Sequence, residues 1–482
     1  MNLSSMMLEI TVAVLGLGIL LLDLWTPKER KRELGYAAAG LLFFIFAGTC
    51  IAPQPVSTLD PAASMMAFDA LGWFFKRFFL LASILVLVFA AEFADRLESG
   101  ISEYYSLIIF ALVGMLFAAG ANDFVLVFVS LELITITFYI LTSFQRRRLA
   151  SLEAGVKYLI LGALSSAFLV FGIALIFGTA GTTNFAAMKS VVIEGGSMPV
   201  FQLGLLLVMV GLGFKIAAFP FQIWAPDVYQ GSPAPTTAFL AVGSKAAGIV
   251  LLMRVLFGAV PEIALHRERL LMFVAAVTIL YGNLCAIPQR NLKRLLGYSG
   301  ISNAGYLLLG FAAMTAAGAS AVLYYLAGYL FAVLAAFVVI GAVSRQSETE
   351  DISVLAGLNQ RSPLLAAALT LSMVSLAGIP PLAGFFGKFL LLKAVIEQGA
   401  SYPAYYVLAG VTLVGVVISL YYYFGVIRAI YWSKQPSDLS PLPVSIPTRI
   451  SLWVCILGML YLGLCPDALV TMADEAVKVF KF

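Results

Sequence analysis

The sequence predicts an all-α polytopic membrane protein. Three features carry that reading: a composition that is 62% hydrophobic and only 11% charged, a mean hydropathy of +1.00, and a succession of apolar runs long enough to cross a bilayer. A soluble domain has roughly 45–50% apolar and 25% charged residues, so most of this chain has lipid as its solvent. The hydrocarbon core is about 30 Å thick and takes about 20 apolar residues in a helix. None of the runs alternates polar with apolar residues, as the strands of a membrane β-barrel would.

About fourteen transmembrane helices are expected, at 8–25, 34–51, 70–91, 104–119, 122–142, 153–179, 201–224, 235–257, 268–287, 298–317, 320–343, 362–396, 405–432 and 448–467. The first run has no basic stretch before it and no small-residue cleavage pattern, and Lys28, Arg30, Lys31 and Arg32 follow it, so it reads as a retained helix. The fifth carries Glu132 in mid-run, in "SLELITITF". The seventh is interrupted in "GLGFKIAAFPFQIWAPDVYQGSPAP", where Lys215 precedes Pro220. Lys245 falls near the centre of the eighth. The twelfth is interrupted by Pro380 and Pro381 in "SLAGIPPLAGFFGKF", with Lys388 just beyond. No gap leaves room for a soluble domain, so residues 1–482 form a single membrane domain.

Lysine and arginine in the connections set the orientation. Alternate loops hold Lys28, Arg30, Lys31, Arg32, Arg96, Arg146, Arg147, Arg148, Arg290, Lys293, Arg294, Arg345, Arg361, Lys434 and Arg449. The opposite set holds Lys189, Arg267, Arg269, Lys478 and Lys481, a balance of fifteen to five. The first set is expected in the cytoplasm, which puts both termini on the outer side. The net charge of +4 is small and carried by loops, so it reports topology rather than a nucleic-acid partner. Cys50, Cys285, Cys455 and Cys465 show no C-x-x-C spacing and His266 is the only histidine, so no haem, iron–sulfur or zinc site is expected from this chain.

Nine basic residues remain inside or at the ends of helices. Snorkelling accounts for Lys76, Arg77, Lys157, Arg254, Lys393 and Arg428. Lys215, Lys245, Lys388 and Glu132 are deeper, and a buried ion near the bilayer centre costs about 2.5–3.5 kcal/mol on insertion scales. A structural reading has Glu132 neutralising one lysine and carbonyls at the helix breaks holding the others. A functional reading has these groups exchanging protons, for which lysine is suited and the permanently charged arginine is not. Pro220 frees the carbonyl of Ile216, and Pro380 and Pro381 free those of Leu376 and Ala377. Irregular backbone at membrane depth is tolerated where it is buried in protein or faces a hydrated cavity. The broken run is the fourth of five in both 104–257 and 268–432, and an odd number of spans per block points the two blocks in opposite directions. That is the pattern of two inverted five-helix repeats, flanked by 1–103 and 448–482.

The segment "GFKIAAFPFQIWAPDVYQGSPAPTTAFLAVGSKAAG" resembles the signature of subunit N of bacterial NADH–quinone oxidoreductase, the antiporter-like membrane subunit of respiratory complex I. "EAGVKYLILGALSSAFLVFG", "NLKRLLGYSGISNAGYLLLG" and "GIPPLAGFFGKF" resemble its other strong segments in the same order. The resemblance covers essentially the whole chain, and "WAPDVYQGSPAP" favours subunit N over subunits L and M. It implies fourteen helices with discontinuous helices seven and twelve, and a proton relay of Glu132, Lys215, Lys245 and Lys388 that pumps protons across the bacterial inner membrane. It also implies partner subunits M and K, and NADH, FMN, iron–sulfur clusters and quinone in partner subunits rather than here. Two positions depart from the family, which often has histidine where this chain has Gln222 and Asn303; neither amide can titrate. An antiporter-like subunit of a sodium/proton exchanger or a membrane-bound hydrogenase shares the core motifs, and a non-pumping scaffold is the alternative from another class.

Overall fold

In hydrocarbon a backbone satisfies its polar groups only by closing them within a helix or a sealed sheet. The computed structural model describes residues 6–51, 64–188, 199–260, 268–345, 347, 349–432, 439–480 and 482, and these are helical apart from turns, loops and three isolated bridges. Lys189, His266, Arg267, Lys434 and Lys481 lie outside the described residues.

The helices are α1 (Met7–Asp23), α2 (Lys31–Ile51), α3 (Ala70–Phe93), α4 (Ile101–Ala119), α5 (Phe124–Thr142) and α6 (Leu149–Ala180). The seventh apolar run is split into α7 (Pro199–Ile216) and α8 (Trp224–Gly231). Next come α9 (Ala234–Ala259), α10 (Glu268–Ala286), α11 (Leu292–Ala312) and α12 (Ala316–Val343). The twelfth run is split into α13 (Pro363–Ala377) and α14 (Ala383–Gln398), followed by α15 (Ala404–Trp432), α16 (Ile446–Leu464) and α17 (Asp467–Val477). Among the described residues, 11 helices are long and apolar enough to cross a bilayer. Outside that set, α1 has only 17 residues, α11 is diluted by Lys293, Arg294, Ser299, Ser302 and Asn303, and α13 and α14 are halves of one interrupted run.

The bundle is apolar on its perimeter as well as in its core. Helix α9 is wholly buried and α3 and α12 nearly so, whereas α2, α6 and α16 form the perimeter. Their outward residues, including Phe44, Ile160, Phe171, Leu457 and Tyr461, are apolar or aromatic because hydrocarbon is what they meet. The basic connections gather at one end. There Arg96 donates to the carbonyl and hydroxyl of Ser344, Gln145 donates to the Arg96 carbonyl at 3.3 Å, Arg32 pairs with Glu92 at 2.7 Å, and Asn291 bridges to Asp351. At the other end Met66 bridges to Ala121 and Asp123 to Asn184.

Helix α17 was not expected. It is short and half polar, so it lacks the long apolar run that marks a span, and only Ala473, Ala476 and Val477 on one stripe are buried. Behind it Phe480 packs on Phe257 with ring centroids 5.7 Å apart.

Candidate functional site

Helix α7 stops at Ile216, and the chain reverses through Ala217, whose φ of 59° lies in the left-handed region. Two hydrogen bonds fix the break: Phe219 N–H donates to Thr278 Oγ1 at 3.0 Å and the Trp224 indole N–H to the Phe214 carbonyl at 2.9 Å. Lys215 occupies the last turn of α7, where the carbonyl end of the helix favours a cation. Its ammonium does not rest on the Ile216 carbonyl that Pro220 was expected to free. It donates instead to Thr135 Oγ1 on α5 at 2.9 Å and to the Tyr158 hydroxyl on α6 at 3.4 Å.

Glu132 lies one turn before Thr135 on α5, and its carboxylate accepts a hydrogen bond from Ser166 of α6. No Glu132 oxygen comes within the 4.0 Å of Lys215 Nζ that would make an ion pair, so Glu132 does not neutralise this lysine by direct contact. The hydroxyls of Ser166 and Thr135 have each taken one member of the pair. Between them lies a cavity of about 10 Å³ lined by Thr135, Ser165, Ser166 and Lys215, close to the lower limit of what one water needs. Ser166 thus links Glu132 to the wall of a cavity that Lys215 also lines.

The second break behaves as its prolines dictate. Gly378, with φ 85°, ends α13 in the left-handed conformation that a glycine adopts without strain. Lys388, on α14, reaches back and donates to the Leu376 carbonyl at 2.7 Å and the Ala377 carbonyl at 3.3 Å. These are the two carbonyls that Pro380 and Pro381 leave without an amide partner. In the sequence Lys215 precedes its proline and Lys388 follows its own. In space the Lys388 ammonium rests on the carbonyl end of the first half-helix, whereas the Lys215 ammonium, although its residue is in the last turn of its own half-helix, rests on hydroxyls of α5 and α6.

Lys245 begins the regular part of α9 immediately after a π-helical stretch, Leu240–Ser244. Its ammonium donates to the Gly300 carbonyl of α11 at 2.5 Å and lies 5.6 Å from the Tyr329 ring centroid. π-helical turns are rare and often stand at functional sites. Apolar periodicity does not reveal them.

Between Lys245 and Lys388 lie two groups of hydrogen-bonded hydroxyls and amides. Tyr325 donates to Asn303 Oδ1, and Asn303 Nδ2 donates to the Ser299 carbonyl at 2.8 Å. Ser299 Oγ and the Tyr423 hydroxyl are 2.5 Å apart. Asn283 accepts from Tyr422 at 2.9 Å and donates to the Tyr306 hydroxyl at 3.2 Å, and the Tyr306 ring lies 4.6 Å below the Lys388 ammonium. Asn303 therefore sits inside the first of these groups. Gln222, the other departure, is buried with its Oε1 unpartnered.

The sequence reading misjudged several further charges. Lys76 pairs with Glu9 at 2.7 Å, both nearly inaccessible. Arg254 holds Asp69 through two contacts of 2.6 and 2.8 Å and also donates to the Ala119 carbonyl at 2.6 Å. These two cations do not snorkel; they are internal ion pairs. Glu9 and Asp69 sit near the ends of apolar runs and read as ordinary end charges, and the Asp69–Arg254 pairing spans 185 residues. Lys293, placed in a basic loop by the sequence, is also buried and bound to Glu350 at 2.9 Å.

These features define a class: a polytopic helical protein with two interrupted helices and a row of buried lysines between them. The profile of the family described as NADH:quinone oxidoreductase/Mrp antiporter matches residues 121–418. NADH-quinone oxidoreductase subunit N of Moorella thermoacetica is 38% identical over 479 residues, covering 99% of each chain. The subunit N of Rhodospirillum rubrum is 35% identical over 98% of this chain and 96% of its own. A chain of respiratory complex I from Thermus thermophilus superposes with a TM-score of 0.80 at 32% identity, over 96% of this chain and 98% of that one. A chain of the Mrp complex from a Dietzia species gives a TM-score of 0.86 at 22% identity over 100% and 98%, a likeness of fold alone. The chain belongs to the antiporter-like subunit N family of NADH–quinone oxidoreductase.

Proposed function

We propose that this chain translocates protons as subunit N of an NADH–quinone oxidoreductase, driven by electron transfer in partner subunits. The observation that supports this is a contrast between two kinds of buried cation. Lys76, Arg254 and Lys293 each have a carboxylate at 2.6 to 2.9 Å, the arrangement of structural ion pairs. Lys215, Lys245 and Lys388 are as deeply buried and are held only by hydroxyls and carbonyls. Such partners orient an ammonium without cancelling its charge, so its neighbours do not lock the proton in place. In this reading Glu132 tunes Lys215 by way of Ser166 and the cavity that Ser166 and Lys215 line, Lys245 is the central station, and Lys388 serves the other half-channel.

The architecture that goes with it has fourteen spans, counting α1, α11 and the α13–α14 pair with the eleven apolar helices. Residues 104–257 and 268–432 are inverted repeats, flanked by 1–103 and 448–482. The basic end faces the cytoplasm of a bacterium, both termini face outward, and subunits M and K are the neighbours. NADH, FMN, iron–sulfur clusters and quinone belong to partner subunits, with no redox centre in this chain. The test compares Lys245→Met and Lys388→Met with Lys76→Met, by NADH-driven proton uptake in inverted vesicles normalised to assembled complex. The first two are expected to assemble and lose pumping, and the third to lose assembly. Wild-type pumping by both of the first two would overturn the relay.

A further inference from the structure

Lys245 has three N–H donors and a single acceptor, the Gly300 carbonyl. Beside it stand Tyr229 of α8 and Tyr329 of α12, which are 2% and 5% exposed. Neither phenol hydroxyl has a hydrogen-bond partner among the described residues. Buried hydroxyls are nearly always satisfied, by protein or by an ordered water. All three groups converge on one point. It is the place where Gly300 of α11 lacks a side chain: a Cβ there would lie 3.2 Å from Lys245 Nζ, 3.5 Å from Tyr329 Oη and 3.7 Å from Tyr229 Oη.

Other glycines of α11 are different. A Cβ on Gly305 would meet the Ile279 backbone nitrogen at 2.7 Å, and one on Gly310 the Gly318 carbonyl at 2.5 Å. Those glycines let helices approach. At Gly300 the three nearest atoms are all polar side-chain ends, so the space is kept for something that hydrogen-bonds to them rather than for a neighbouring backbone. A water has the required valence, since it can accept from the ammonium while donating to a phenol oxygen.

We propose that the missing side chain of Gly300 holds open a site for one water bound by Lys245, Tyr229 and Tyr329, and that Gly300 is thereby a positioning residue for proton exchange at Lys245. The inference rests on the relay role given to Lys245 above. In the exchange an Nζ–H bond breaks as an O–H bond forms on this water, which in the same movement gives one of its own protons to a second water, while both phenols stay protonated and hold the first water by hydrogen bonds. The first water is regenerated, and the positive charge passes from the lysine to the second water.

The experiment uses intact complex in inverted vesicles, reading NADH-driven proton uptake per assembled complex. Gly300→Ala places a methyl in the water site against flexible side-chain ends, and alanine is the better helix former, so assembly should be normal. Pumping should fall about tenfold, the effect of losing one ordinary hydrogen bond in the rate-limiting exchange. Gly300→Ser sets a hydroxyl where the water oxygen stood and should pump faster than Gly300→Ala. Tyr229→Phe with Tyr329→Phe removes the water's partners without adding volume, should also slow pumping, and decides the matter by itself if Gly300→Ala does not assemble. Wild-type pumping by Gly300→Ala or by the double phenylalanine variant overturns the water site, as does equal impairment by alanine and serine. Loss of pumping in Lys245→Met beside normal pumping in Gly300→Ala sinks this inference alone. Normal pumping in Lys245→Met sinks the relay beneath it.

Discussion

Replacing Lys215 by arginine separates charge from titratability. The Lys215 ammonium is 2.9 Å from Thr135 Oγ1, its stem lies within 3.3 to 3.4 Å of where a Cβ on Gly248 would stand, and the cavity beside it holds only about 10 Å³. A guanidinium therefore overpacks the site, which costs about 1–3 kcal/mol. Its forked donors reach Thr135 and Tyr158, offsetting part of that, so Lys215→Arg is expected to assemble. Its proton is another matter. Arginine has a reference pKa of about 12.5–13.8 against about 10.4 for lysine, so it is neutral roughly 10²–10³-fold less often than even an unshifted lysine. Proton uptake driven by NADH, normalised to assembled complex, should drop at least that far, to background. Lys215→Met is the companion variant: Thr135 keeps its bond to the Leu131 carbonyl at 2.6 Å, so assembly should survive while pumping is lost. Wild-type pumping by assembled Lys215→Arg would refute the relay and leave Lys215 a fixed charge.

Ser166→Ala removes the donor to Glu132 and one wall of the gap, and a hydrogen bond to a charged group contributes about 1.5–3 kcal/mol; pumping per complex should fall tenfold or more, and an unchanged rate would show that Ser166 is incidental. Arg254→Gln strands the Asp69 carboxylate and should destabilise the subunit by about 3–5 kcal/mol, read as lost assembly or lowered melting temperature; Arg254→Lys should not rescue it, because a lysine cannot reproduce the two-pronged contact. A cysteine label placed after Phe482 should react from outside the cytoplasm and one at Arg147 from within, and reversed labelling would invert the orientation.

Much of the site is legible in the sequence because each signal is local. A proline in an apolar run breaks its helix wherever that helix lies, so Pro220, Pro380 and Pro381 announce both interruptions, and counting four residues back from the last two names the carbonyls that Lys388 occupies. A lysine at mid-run is conspicuous against hydrocarbon without knowledge of its neighbours. The same local logic misjudges charges near the ends of runs. Lys76 and Arg254 are chemically like the snorkelling cations they were grouped with, and Glu9 and Asp69 look like ordinary end residues.

What the sequence alone determined is the solvent, the helical class, the two interruptions and the residues out of place in lipid, because composition, helix breaking and the cost of a buried charge are properties of short segments. What only the tertiary structure decided is which buried charges have counterions. Asp69 and Arg254 are 185 residues apart and Glu9 meets Lys76 across two helices, whereas Glu132, the one carboxylate with an apparent partner, is turned toward Ser166. The structure also decided that Lys388 rests on the carbonyls of its own helix break while Lys215 rests on hydroxyls of neighbouring helices, and that Gly300 leaves a gap among Lys245, Tyr229 and Tyr329. Pairing depends on the separation of side chains in three dimensions, which side-chain type and position in the chain do not encode until helix packing has fixed them.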